Sequence, residues 1–152
     1  MEKTLKLLSS KSTMSLLTYA GSIPFLLSAF LLNTDLGTQN FNSNLQHLLS
    51  VYGLVIGSFM AGTLWGQELN ENSGWQRSVL LCSNAIALAL FAAFVTFSFT
   101  SLMVFYAISF LFLLLIDYHL SQNAQRHAAY FKLRLRVTIL VVMAIGISAL
   151  AG

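Results

Sequence analysis

The chain is short of charge, cysteine and proline, and several of its hydrophilic segments contain no cation at all. Asp, Glu, Lys and Arg together make up 9 % of 152 residues, against about 25 % in an average soluble domain. That excludes an ordinary core wrapped in a charged, water-facing shell. The single cysteine, Cys82, falls inside an apolar run, which leaves no disulfide framework, no lipid-attachment box and no cysteine-based metal cluster. No Glu-x-x-His, His-Glu-x-x-His or Cys-x-x-Cys occurs, nor a Gly-x-Ser-x-Gly, a phosphate loop or a dinucleotide fingerprint. No internal duplication divides the chain into the equal halves typical of a transporter.

What the chain does have is apolar length. Hydrophobic residues are 57 % of it, gathered into five runs: Met14–Leu32, His47–Gly66, Ser78–Phe97, Leu102–Leu120 and Leu135–Ala151. Their lengths are about those a helix needs to cross a hydrocarbon core of ~30 Å. If all five cross, Lys3, Lys6, Lys11, Arg77, Arg126, Lys132, Arg134 and Arg136 share one face. The opposite face, comprising segment 33–46, the turn near residue 100 and the C-terminus, has no Lys or Arg. Positive residues are retained in the cytoplasm during insertion. The expected fold is therefore an all-α integral membrane protein, a bundle of five transmembrane helices with the N-terminus cytoplasmic and the C-terminus outside. Residues 1–13 form a cytoplasmic segment and 14–152 a single transmembrane domain.

The net charge of +3 follows from this bias and from anionic lipid at the cytoplasmic face, so nucleic acid is not an expected partner. Lys3, Lys6 and Lys11 before an apolar stretch resemble a secretory signal peptide. The stretch is too long for one, however, carries Pro24, and ends in Asn33-Thr34-Asp35 without a small-x-small cleavage site. An uncleaved anchor is expected. No Arg- and Ser-rich presequence precedes it, which favours a bacterial cell inner membrane over a mitochondrial one.

Several residues stand out within the runs. Pro24 has no N–H for the carbonyl of Ala20, so a kink is expected there, with Tyr19, Ser22 or a neighbouring helix satisfying the backbone. In the second run Gly53 and Gly57 stand four apart, as do Ser58, Gly62 and Gly66. Gly53 and Gly62 fall ~180° apart on a helix, which places this run at the centre with neighbours approaching two faces. Trp65 reads as its cytoplasmic anchor. The stretch from Ser78 to Ile116 is uncharged and, as one helix, would measure ~58 Å. A break is expected at Thr96–Ser101. Asn84 is expected to hydrogen-bond another helix. The fifth run is short and crosses only if Leu133 and Leu135 contribute while Arg134 and Arg136 snorkel.

Asp117 is the one carboxylate inside an apolar run, and an ionisable residue there needs a named partner. Arg134 and Arg136 are the candidates for an ion pair, with Arg77 and Lys132 on the same side. At the membrane edge such a pair would be partly solvated, and this structural reading is preferred over proton or cation handling. His47 and His119 lie a membrane thickness apart and cannot share a haem. Asp117 and His119 point to different helix faces. No metal or cofactor is expected. The longest loops, 33–46 and 121–134, are about 14 residues each and hold no catalytic fold, so the chain does not read as an enzyme.

Three segments together, LTYAGSIPF (Leu17–Phe25), YGLVIGSFMAGTLWG (Tyr52–Gly66) and YFKLRLR (Tyr130–Arg136), resemble the transmembrane protein 69 family. These are small bacterial and mitochondrial membrane proteins built on a domain of unknown function. The resemblance runs from about Leu16 to the C-terminus. Where such proteins commonly carry Gly-Gly-x-His-Trp-Gly, Ala61 and Leu64 replace the first glycine and the histidine, so no role of that histidine transfers. The resemblance implies several spans and no particular activity.

The expected function is that of a non-enzymatic membrane protein working through helix contacts, as a subunit, assembly factor or homo-oligomer. Its partners would be membrane lipid and another membrane protein or a second copy. The candidate packing positions are Gly53, Gly57, Ser58, Gly62 and Gly66. The alternative is a carrier or sensor of a small apolar molecule (lipid, quinone or similar) in a niche near Tyr19, Pro24, Trp65 and Asn84, or of protons via Asp117.

Overall fold

The computed structural model describes residues 13, 15–34, 39–68, 76–122 and 128–151. They form five helices: α1 (Ser15–Leu32), α2 (Gln39–Glu68), α3 (Gln76–Thr96), α4 (Phe99–Gln122) and α5 (Ala128–Leu150). Each is long and apolar enough to cross a membrane, and the chain is a multi-pass, all-helical membrane protein.

Two boundaries differ from the sequence reading. Segment 33–46 is largely helix, because α2 begins at Gln39. Its polar first turns carry the helix past the apolar run, with Ser43 Oγ donating to the Gln39 carbonyl at 3.1 Å. At 30 residues α2 is ~45 Å long, well beyond a ~30 Å core. The fifth crossing is not short either. α5 runs for 23 residues from Ala128, so Lys132, Arg134 and Arg136 lie within the helix rather than before it. The uncharged stretch does break inside Thr96–Ser101, at Phe97–Ser98. The Ser98 carbonyl accepts from the Leu102 N–H at 2.8 Å, and its hydroxyl bonds that of Ser101 at 3.2 Å, so side chain and backbone of Ser98 both start α4.

α2 packs on α1, α3 and α4, while α5 packs on α4 and α1. Beside a core of large side chains such as Phe25, Leu64, Leu90 and Tyr106, several small hydroxyl residues are buried: Ser22, Ser28, Ser50, Ser83, Ser109, Thr138 and Ser148. Leu16, Phe59, Leu88 and Val95 face outward. Lipid is as apolar as leucine, so burying large side chains gains little, whereas small ones let helices close up. Most of the hydroxyls return to their own helix, as Ser50 does to Gln46 at 2.8 Å and Ser148 to Ala144 at 2.9 Å.

Among the described glycines the tightest surroundings are at Gly53. A Cβ there would stand 2.6 Å from the ring of Tyr106, which is fully buried and donates its hydroxyl to the Ser50 carbonyl at 3.1 Å. At Gly57 a Cβ would meet Leu90 at 2.8 Å and Phe110 at 3.3 Å. Gly62 is different: nothing lies within 4 Å of where its Cβ would be. The second face of α2 is thus not occupied by a neighbouring backbone at Gly62, as the spacing suggests, but is open.

α1 is broken one turn ahead of its proline. The N–H of Ser22 reaches back to Tyr19 at 3.0 Å, and its hydroxyl donates to the same carbonyl at 2.7 Å. The freed Gly21 carbonyl accepts the Tyr52 hydroxyl of α2 at 2.9 Å. The helix then restarts as Ile23–Leu32 with Pro24 in its first turn, where a missing N–H is no loss. This second half is seated by Phe25, whose ring lies 5.1 Å from Tyr52 and 6.2 Å from Phe110. At its far end Asn33 donates to the Ile147 carbonyl of α5 at 3.3 Å.

Candidate functional site

Ahead of the break, the leucines of α1 face outward. Leu16 is 70 % and Leu17 66 % exposed, whereas Phe25 is 1 %. A cleft of about 440 Å³ lies between this half of α1, α2 and α5. From α1 it is lined by Leu17, Thr18 and Gly21, and from α2 by Ile56, Phe59, Met60 and Thr63. α5 contributes Leu133, Arg134, Val137, Thr138 and Val141, and Phe110 of α4 closes the floor. The α2 and α5 positions recur at three- and four-residue steps, so each helix gives one face. Volume and lining are those of an ordinary small-molecule site, mostly apolar with few polar groups.

The polar side chains of the lining are Thr18 of α1, Thr63 of α2, and Arg134 and Thr138 of α5. Arg134 is buried, and its Nε lies 2.5 Å from Asp117 Oδ2 on α4. Nη1 donates to the Thr63 hydroxyl of α2 at 3.0 Å, and Nη2 to the Met60 carbonyl at 3.5 Å. The Thr63 hydroxyl in turn donates to that carbonyl at 2.7 Å. One guanidinium therefore ties three helices together at the end of the bundle where α2 and α4 finish and α5 begins. One turn further along α5, Thr138 is 3 % exposed and has no hydrogen-bond partner among the described residues. It lines the same cleft.

The ion pair departs from the sequence reading in two respects. Asp117 is 4 % exposed, so the pair is shielded by protein rather than partly solvated at an edge. Arg136 takes no part; it is exposed, as are Arg77 and Lys132. The two arginines are two residues apart on α5 and point to different sides.

The other candidates are scattered. Tyr19 is exposed and Pro24 half-buried, and neither lines the cleft. The side chain of Trp65, like position 66, lies outside the described residues. Asn84 is exposed, and its Nδ2 donates to Leu80 of its own helix at 3.2 Å rather than to another helix. With Ser58, Ala61, Gly62, Ser83 and Ala87 it lines a shallower groove of about 300 Å³ between α2 and α3. His47 and His119 are both exposed, His47 near the start of α2 and His119 near the end of α4. Among the described residues no three His, Cys, Asp or Glu side chains are placed to hold a metal ion.

Neither the cleft nor Thr138 could be found by hydropathy, because both depend on how α1, α2 and α5 meet. No curated protein and no solved structure matches the chain. A family model described as "Protein of unknown function (DUF3429)" matches residues 10–150. That span is nearly all of the sequence, and the chain belongs to the DUF3429 family.

Proposed function

We propose that the protein binds a small lipophilic molecule in the cleft under α1 and serves as its carrier or sensor. The observation that supports this best is the pairing of an apolar cleft of about 440 Å³ with a buried guanidinium in its wall. The protein is non-enzymatic in this reading and sits in a bacterial inner membrane, N-terminus inside, so the cleft opens sideways to the cytoplasmic leaflet. The narrower likeness to the transmembrane protein 69 family fits the same picture. The test is a thermal-shift screen of purified protein in detergent against quinones, sterols, haem and lipids. A saturable rise in melting temperature for one class supports the reading; a flat panel rejects it.

Helix contact is the second reading, favoured by the open face at Gly62 and the exposed amide of Asn84. Gly53 and Gly57 are already filled by side chains of the same chain, which leaves Ser58, Gly62 and Asn84 for a second copy or another membrane protein. Crosslinking in mild detergent at native expression tests it. A reproducible partner lost on Gly62→Leu supports it, and monomers alone reject it.

A further inference from the structure

Resting on the cleft reading above, we infer that the ligand is a neutral lipophile with a hydrogen-bond-accepting carbonyl head, of the quinone type, whose head sits between Arg134 and Thr138. Charge argues for neutrality. Arg134 is already balanced by Asp117 at 2.5 Å, so the wall of the cleft is a neutral pair. An anionic head would add a second negative charge beside Asp117 where protein and lipid shield poorly, a costly arrangement.

The donors argue for a carbonyl. Thr138 is 3 % exposed as a residue, and its hydroxyl has no hydrogen-bond partner among the described residues. Such a group is expensive to leave unsatisfied. It lies four residues from Arg134 on the same face of α5 and borders the cleft. Of the two bonds from the guanidinium to α2, that from Nη2 to Met60 is the longer at 3.5 Å, the outer limit of a hydrogen bond and readily exchanged for a ligand oxygen. One acceptor oxygen satisfies both groups. Ile56, Phe59 and Val141 offer apolar surface for a tail, which leaves beside Leu17 of α1 toward lipid.

The experiment uses full-length protein in detergent micelles and three probes: a decyl-substituted benzoquinone, dodecanoate and dodecane. Affinities are measured for the wild type and for Thr138→Val, which keeps the shape and removes the hydroxyl. The expected result is tightest binding of the quinone, weakened about fivefold by Thr138→Val in line with one hydrogen bond. The variant's melting temperature should be unchanged or raised, since it buries no unpaired hydroxyl, and dodecane binding should not change. Equal binding of quinone and dodecane, insensitive to Thr138→Val, overturns the head-group assignment while leaving the cleft reading standing. Tightest binding of dodecanoate overturns the neutrality argument. Saturable binding of no probe removes both this inference and the cleft reading.

Discussion

Asp117 Oδ2 and Arg134 Nε, 2.5 Å apart, join α4 to α5 with both side chains buried. Removing one member of such a pair leaves the other charge shielded and alone, which costs about 3–5 kcal/mol, whereas an exposed pair is worth ~1 kcal/mol or less. Asp117→Asn should therefore lower the melting temperature in detergent substantially. Asp117→Arg with Arg134→Asp should recover part of the loss, since coupling of this kind arises between residues in contact. Wild-type melting of Asp117→Asn together with failed complementation would overturn the structural role and make Asp117 the centre of a proton or cation function.

Gly53 and Gly62, alike in sequence spacing, should respond oppositely to alanine. At Gly53 the new Cβ meets a fully buried Tyr106 ring at 2.6 Å, and neither ring nor helix can move far. Overpacking of that kind costs about 1–3 kcal/mol. At Gly62 there is open space, and alanine is the better helix former by about 0.8–1 kcal/mol in water. Unfolding titrations in mixed micelles should show Gly53→Ala destabilised and Gly62→Ala neutral or slightly stabilised. Equal losses at both would mean that the Gly62 face is covered by a partner.

These two glycines also mark the limit of what the sequence reveals. Five crossings, the break near Ser98 and a carboxylate in need of an arginine are all written in hydropathy and charge, because lipid imposes length and neutrality on every span. Which side of a span faces inward is not written there. Leu88 at 70 % exposed and Ser83 at 1 % reverse the order a soluble core would give, since an apolar solvent exerts no pull on leucine. The same blindness misplaces Asn84, which satisfies its own helix and faces out. The early start of α2 was hidden by its polar first turns, which read as a loop only if helix is equated with membrane. Arg134 could be named as a candidate, but its burial depends on Thr63 and Met60 of α2, contacts set by how three helices meet.

Tyr52 should prove to be a latch on α1. Its hydroxyl holds the Gly21 carbonyl at 2.9 Å, and its ring packs at a tilt of 57° against Phe25. Tyr52→Phe removes the bond alone and should lower stability by about 0.6 kcal/mol, the usual value between membrane helices. Tyr52→Ala also removes the ring and should cost ~3–5 kcal/mol. Both are read by thermal unfolding in detergent. A Tyr52→Phe loss as large as that of Tyr52→Ala would mean that the carbonyl, not the aromatic contact, seats α1.

Orientation decides which leaflet the cleft addresses. The contacts already order the helix ends: Arg134 at the start of α5 meets Thr63 late in α2 and Asp117 late in α4, while Asn33 at the end of α1 meets Ile147 late in α5. The cleft thus belongs to the end of the bundle where α1 and α5 begin. Among the described residues Arg77, Lys132, Arg134 and Arg136 lie toward that end, so it should be cytoplasmic by retention of positive charge. Reporter fusions after Gly37 and at the C-terminus should report outside, and fusions after Asn72 and Gln125 inside. Gly37 is chosen because a junction a few residues later would cut into the first turn of α2. A C-terminus found inside, with the other three as expected, would remove α5 from the membrane. It would then take Arg134 and Thr138 away from the cleft, a result the pairing of Arg134 with Asp117 argues against.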